Sequence, residues 1–257
     1  MQIPFEYLAH LVTIPVTAAG TEARFVFDSG IGLTLLTESL AREIGCETDG
    51  STFSGRRMSG QEVSVPLATL DSLELGDYRR GGVTVGVLDL GVDGVDGFLS
   101  LDFFAETPVT VDYGSQQIHV DEPPSGIPVE VRVDRDGPST AVHMPLELPD
   151  GRTISVEVDM GSNELILDER FAAQLGVDLD DAAVQKVDGR DETGHEYTRY
   201  FTSLDGLVRV PTAPELAQRD PDVQFQKIIY DGLVGHAFLR NFTVTYDLPN
   251  ARILVAQ

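Results

Sequence analysis

Two aspartates share one local setting: Asp28 in Phe27-Asp28-Ser29-Gly30 and Asp159 in Val158-Asp159-Met160-Gly161. Carboxylates held a few ångströms apart cannot both ionise cheaply, so they share a proton and titrate as a pair. Such a pair is an acid and a base around one water molecule, which is the chemistry that adds water to an amide carbonyl. A glycine two positions after each Asp lets the backbone turn tightly and direct N–H groups at the carboxylate. An Asp at the end of a buried apolar run such as Phe25-Val26-Phe27 is expensive unless it is satisfied or used. The alternative is a pair of turn aspartates that merely accept backbone N–H bonds.

For the two loops to meet, the chain must place them symmetrically. With Asp28 set on Asp159, an offset of 159 − 28 = 131, residues 25–45 lie over 156–176. Asp28/Asp159, Gly30/Gly161, Leu36/Leu167, Glu38/Glu169, Ala41/Ala172 and Gly45/Gly176 coincide, and Phe27/Val158, Leu35/Ile166, Leu40/Phe171 and Ile44/Leu175 exchange one apolar residue for another. At 231 − 96 = 135, residues 96–120 lie over 231–255, matching Asp96/Asp231, Gly97/Gly232, Phe103/Phe238, Val109/Val244, Thr110/Thr245, Asp112/Asp247, Ile118/Ile253 and Val120/Val255. Two matches in the same order read as a tandem duplication. Pseudo-twofold packing of the halves would bring Asp28 to Asp159. The seam, Asp121-Glu122-Pro123-Pro124-Ser125-Gly126, reads as a linker and predicts lobes at 1–122 and 123–257.

The elements that carry these loops read as strands. Val12, Ile14 and Val16, and again Ile154, Val156 and Val158, alternate with polar or small residues, the period of half-buried strands. Asp136-Gly137 and Asp150-Gly151 mark hairpin turns. One short helix is predicted in each half. The first has Thr37 as N-cap, Leu40, Ala41 and Ile44 inward, and Gly45 as stop; the second begins near Asp168, with Phe171, Ala172 and Leu175 inward and Gly176 as stop. The predicted fold is all-β with few short helices.

Composition narrows the partners. The chain has 257 residues, 42 Asp and Glu against 18 Lys and Arg, and a formal net charge of −24. With 42% apolar residues, disorder of the whole chain is excluded. So acidic a surface repels nucleic acid and anionic membranes, and neither is an expected partner. The excess of acid reads first as a solvated surface, and otherwise as adaptation to low pH or cation binding. The single cysteine, Cys46, cannot form an intramolecular disulfide and reads as a buried, inert thiol. No run approaches a membrane span, and the start Met1-Gln2-Ile3-Pro4-Phe5 has no basic n-region, so a soluble protein is expected, its compartment cytoplasmic or else unknown.

On these residues the chain resembles the pepsin/retropepsin-like aspartic proteases, in a single-chain, bacterial-type form with two homologous lobes. Ile3-Pro4-Phe5-Glu6 and Phe25-Val26-Phe27-Asp28-Ser29-Gly30 resemble the family's lead-in strand and Asp-Thr/Ser-Gly motif. Asp96-Gly97-Phe98-Leu99 and Asp231-Gly232-Leu233-Val234-Gly235 resemble the hydrophobic-hydrophobic-Gly element that buttresses each catalytic loop. The resemblance implies two β-barrel-like lobes with a cleft between them and Asp28 and Asp159 as the catalytic pair. It makes Ser29, Gly30, Gly161 and Ser162 support for their loops. It also implies a flap over residues 53–65, with its tip at Met58-Ser59-Gly60-Gln61, and a counterpart at Asp191-Glu192-Thr193-Gly194-His195-Glu196. The chain departs from the family at Met160, where a hydroxyl is usual, at Ile31, where Ala or Ser is preferred, and at Ser100, where the buttress normally has Gly.

Other chemistries fit less well. The run from Asp89 to Gly97 only loosely supplies the alternate oxygen ligands of a calcium loop and reads as an acidic loop. His10, His119, His143, His195 and His236 are scattered without zinc-ligand spacing, so neither a metal nor a cofactor is expected. Gly30 and Gly32 begin a dinucleotide pattern that Leu35 breaks, and there is no Gly-x-Ser-x-Gly elbow. Asp112 and Asp247 read as turn formers. The resemblance implies an aspartic endopeptidase, a monomer acting on a peptide or protein substrate, and its alternative is a catalytically weak or inactive module that binds peptides or a partner protein in the same cleft.

Overall fold

The computed structural model describes residues 1–190 and 195–256. Strands account for 55% of the structure and helical turns for 9%, which makes the protein all-β. Three sheets hold the chain together.

In the first sheet, Leu11–Ala18 pairs antiparallel with Thr21–Phe27, as the alternation at Val12, Ile14 and Val16 predicts. Leu11–Ala18 also reaches Glu62–Leu75 through Thr17↔Glu74 and Ala18↔Leu73, which curls the sheet on itself. Phe25, Val26 and Phe27 are fully buried. Burying each phenylalanine contributes about 1.5–3 kcal/mol relative to exposure, so the strand that delivers Asp28 is anchored on both faces.

Beside that strand lies Gly97–Leu99, parallel to it (Phe25↔Gly97, Phe27↔Leu99) and antiparallel to Leu35–Leu36. The second sheet repeats the arrangement: Gly232–Val234 runs parallel to Thr153–Val158 (Val156↔Gly232, Val158↔Val234) and antiparallel to Leu165–Asp168. Glycine is required at both strand starts by close approach. A Cβ at Gly97 would lie 2.5 Å from the Leu35 carbonyl oxygen, and one at Gly232 would lie 2.6 Å from that of Ile166.

The third sheet runs Gln2–Pro4, Gln117–Val120, Val109–Asp112, Thr243–Asp247, Arg252–Ala256, Ile127–Glu130, and so joins strands from both parts of the chain. At its centre Thr110 faces Thr245, with their hydroxyls 2.7 Å apart. These two residues correspond at the offset of 135, so a local twofold passes between them.

Thr37 caps the helix Glu38–Glu43 by accepting from the Leu40 N–H, and Gly45 ends it at φ +67°. The expected second helix is instead two 3-10 turns, Glu169–Phe171 and Ala173–Leu175. The Asp168 carboxylate draws in the Arg170 N–H two residues on and also accepts from Ile228 N–H at 2.9 Å, which holds the first turn tight. Phe171 and Ala172 still point inward, and Gly176 still ends the segment at φ +76°. Two further short helical segments, Leu101–Phe104 and His236–Leu239, follow the buttress strands where closing strands alone were expected. Cys46 is half-buried rather than buried, because it follows the helix stop at the edge of the core. Burial and Asp71 nonetheless push its thiol pKa up, away from reactivity.

Candidate active site

Asp28 and Asp159 sit at equivalent strand ends: Asp28 N–H donates to the Leu99 carbonyl and Asp159 N–H to that of Val234, each at 3.0 Å. Beyond them the chain turns so that each loop's glycine abuts the other loop's carboxylate. A Cβ on Gly30 would overlap the Asp159 carboxylate, and one on Gly161 would overlap that of Asp28. The geometry therefore brings together the two aspartates named from the sequence, along with Ser29, Gly30, Gly161 and Ser162.

One hydroxyl ties the two loops. Ser29 Oγ donates to the Val158 carbonyl at 2.7 Å and accepts from Met160 N–H at 3.0 Å, and Ser29 is fully buried. Met160, its counterpart, is also fully buried but spends its side chain on the hydrophobic core. The brace is one-sided.

The carboxylates differ in what holds them. Asp28 accepts from Gly30 N–H at 2.8 Å. Asp159 accepts from Gly161 N–H at 3.0 Å, from Ser162 N–H at 3.2 Å and from Ser162 Oγ at 2.6 Å. Ile31 occupies the position equivalent to Ser162 (162 − 131 = 31) and offers no hydroxyl. Asp28 is also the more buried of the two. Burial, then the neighbouring Asp159 charge, pushes its pKa up to about 8. His10 Nε2 lies 2.9 Å from the Gly161 carbonyl and steadies the second loop from behind.

A cleft of about 500 Å³ opens beside the pair, lined by Asp159, Gly30, Ile31, Met58 and Ser59 among others, while Asp28 does not line it. The hairpin over it joins Thr48–Arg56 to Glu62–Leu75, with Arg57 N–H bonded to Gln61 O and Gly60 at φ +84°. Its tip, Met58 to Gln61, crosses to the second sheet's side: Met58 O accepts from Ile229 N–H at 2.8 Å, and Met58 packs with Ile166, Ile228, Leu233 and Tyr230. Of the counterpart hairpin, residues 191–194 lie outside the described residues. Its strands Gln185–Arg190 and Glu196–Ser203 pair, and His195 lines the cleft.

Ser100 fits without glycine because Thr34 Oγ1 accepts its N–H at 3.1 Å, and its own Oγ caps Asp102 N–H at 3.3 Å. Asp89 and Asp96, from the acidic run, accept from Glu38 N–H and Arg24 N–H. Asp112 accepts the N–H groups of Gly114 and Ser115, and Asp247 binds Asn250 and Arg252, so both shape turns. Among the described residues no group of three His, Cys, Asp or Glu side chains is placed to hold a metal, and no helix is long and apolar enough to cross a membrane.

The sequence reading missed Glu157. Strand alternation at Val156 and Val158 puts it on an open face, yet it is 5% exposed and lines the cleft, because the loop carrying Tyr230 and the flap tip cover that face. Ile229, the flap's landing point, carries no sequence signal at all.

An all-β chain with two Asp-x-Gly loops interlocked at the foot of a hairpin-covered cleft is similar to the aspartic protease-like proteins. Residues 14–103, which include Asp28, the first hairpin and its buttress strand, match a family model described as aspartyl protease (Asp_protease_2). No curated protein matches the chain.

Proposed function

We propose that the protein is an aspartic endopeptidase built of lobes 1–122 and 123–257, acting as a monomer on peptides held extended in the cleft. The observation that carries this reading is the interlocked pair of Asp-x-Gly loops, with Asp28 and Asp159 sharing one site. Three donors hold the Asp159 carboxyl in place, and burial leaves the proton on Asp28. A water between them loses a proton to Asp159 as its oxygen attacks the carbonyl carbon, while Asp28 gives its proton to the carbonyl oxygen. The tetrahedral diol collapses as the C–N bond breaks, the amine takes the proton from Asp159, and Asp28 recovers its own. Met58, Ser59, Gly60 and Gln61 close over the substrate, whose extended backbone is held by β-type hydrogen bonds.

The one-sided brace at Met160 favours a second reading, a module that binds peptides without cutting them. The test is cleavage of a diverse peptide library, read by mass spectrometry, from about pH 3 to about pH 9. Wild type is expected to cleave, with Asp28→Asn and Asp159→Asn each losing at least about 10³-fold in kcat/KM. Because Asp28 must hold its proton, activity should fall as pH rises through about 8. No cleavage by wild type, or equal cleavage by the variants, overturns the reading. Peptide binding that persists in both variants without products establishes the second one.

A further inference from the structure

One of the positions where the repeat breaks inside the cleft is Glu157. Where the first half has Val26, in an apolar cluster with Leu33, Leu35, Val65 and Phe98, the second has Glu157 (157 − 131 = 26). Glu157 lies on the strand Thr153–Val158, two residues before Asp159, and both residues line the same cleft. It is 5% exposed, and its carboxyl has no hydrogen bond or ion pair among the described residues. Its cross-strand neighbour is His143, its parallel partner is Leu233, and Tyr230 lies beside it. The charges that act on it, those of Asp159, Asp28 and Asp134, are all negative.

Resting on the endopeptidase reading, we propose that Glu157 forms the floor of a side-chain subsite next to the scissile bond and selects peptides with lysine or arginine there. A buried carboxyl without a partner leaves room for a donor to fill. Arg56, Arg57 and Arg199 line the same cleft, but the charges that act on Glu157 itself are negative, so a cation is the ligand it recruits, and hydrogen bonds to a charged group are the strong ones. In the empty cleft, burial and the neighbouring carboxylates hold the Glu157 pKa well above its ordinary value. Entry of an ammonium or guanidinium supplies the missing counter-charge, and the acid gives up its proton to solvent as the pair forms. The net charge of −24 draws basic peptides toward this cleft from a distance.

The test digests one peptide library with wild type, Glu157→Val and Glu157→Gln, after thermal melts establish which variants are folded; the near-isosteric glutamine variant stands in if valine is not tolerated. Wild type is expected to favour Lys or Arg over norleucine on one side of the cut by about tenfold or more in kcat/KM, with the ratio falling to about one in the variants. Cleavage without that preference, or a preference unchanged in the variants, overturns the subsite and leaves the endopeptidase standing. Absence of cleavage by wild type refutes the endopeptidase, and the subsite is then decided by binding. In that arm, hydroxyethylene peptides carrying lysine or norleucine beside the isostere are titrated calorimetrically in two buffers of different ionisation enthalpy. Tighter lysine binding with proton release, lost in the variants, supports the subsite; equal binding of the two peptides overturns it.

Discussion

Ser29 carries two bonds that cross between the active-site loops, and no hydroxyl at Met160 shares the task. In Ser29→Ala the Val158 carbonyl and the Met160 N–H are left buried without their partner, which costs about 2–4 kcal/mol. Urea unfolding should show that loss as a lower midpoint at unchanged slope. The two aspartates were legible in the sequence because their Asp-x-Gly settings repeat in register with the apolar residues around them. Glu157 was not legible. A two-residue period assigns its face but not what covers it, and here the cover arrives from the Tyr230 loop and from the tip of a hairpin about a hundred residues earlier in the chain.

Among the elements, the buttress strands fix the aspartates by backbone geometry alone. A methyl group at Gly97 would press on the Leu35 carbonyl at 2.5 Å and on the Phe25 ring at 2.6 Å, and neither can withdraw from the sheet interior. Gly97→Ala should therefore destabilise the fold by about 2–4 kcal/mol, read by thermal unfolding, and displace the strand whose Leu99 carbonyl holds Asp28. Strands and the Thr37-capped helix were readable from alternation and capping. The segment after Asp168 was misread as a helix because its N-cap, apolar face and glycine stop are shared by tighter turns. Only the second use of the Asp168 carboxylate, on Ile228, separates the two outcomes. Ser100 shows the reverse: a departure from the expected glycine is absorbed by a single partner, Thr34.

For the whole molecule, the raised acids set a direction for stability with pH. Asp28 titrates near its ordinary 3.8 when unfolded and near 8 when folded, so its contribution is full below about pH 4 and is lost as pH rises through about 8. Glu157 shifts in the same direction. The melting temperature should fall between about pH 5 and about pH 8, by an amount on the order of 2–4 kcal/mol in stability. Asp28→Asn and Glu157→Gln should each flatten that slope; parallel slopes in all three proteins would refute the assignment. The duplicated pattern foretold paired sites, but not that the closing strands would merge into one sheet, since pairing partners across a twofold leave no mark in either repeat alone.

That merged sheet decides which parts of the molecule are stiff. Rocking one side against the other would tear the ladder from Val109↔Tyr246 to Asp112↔Thr243, whose valines and tyrosine are packed in the core. The hairpin tip, by contrast, belongs to no ladder of that sheet, and among the described residues it meets the other side through Ile229 N–H to Met58 O and the packing of Met58. The yielding part is therefore the roof and not the hinge: a guest is let in by bending a hairpin, while the two aspartates beneath keep their spacing.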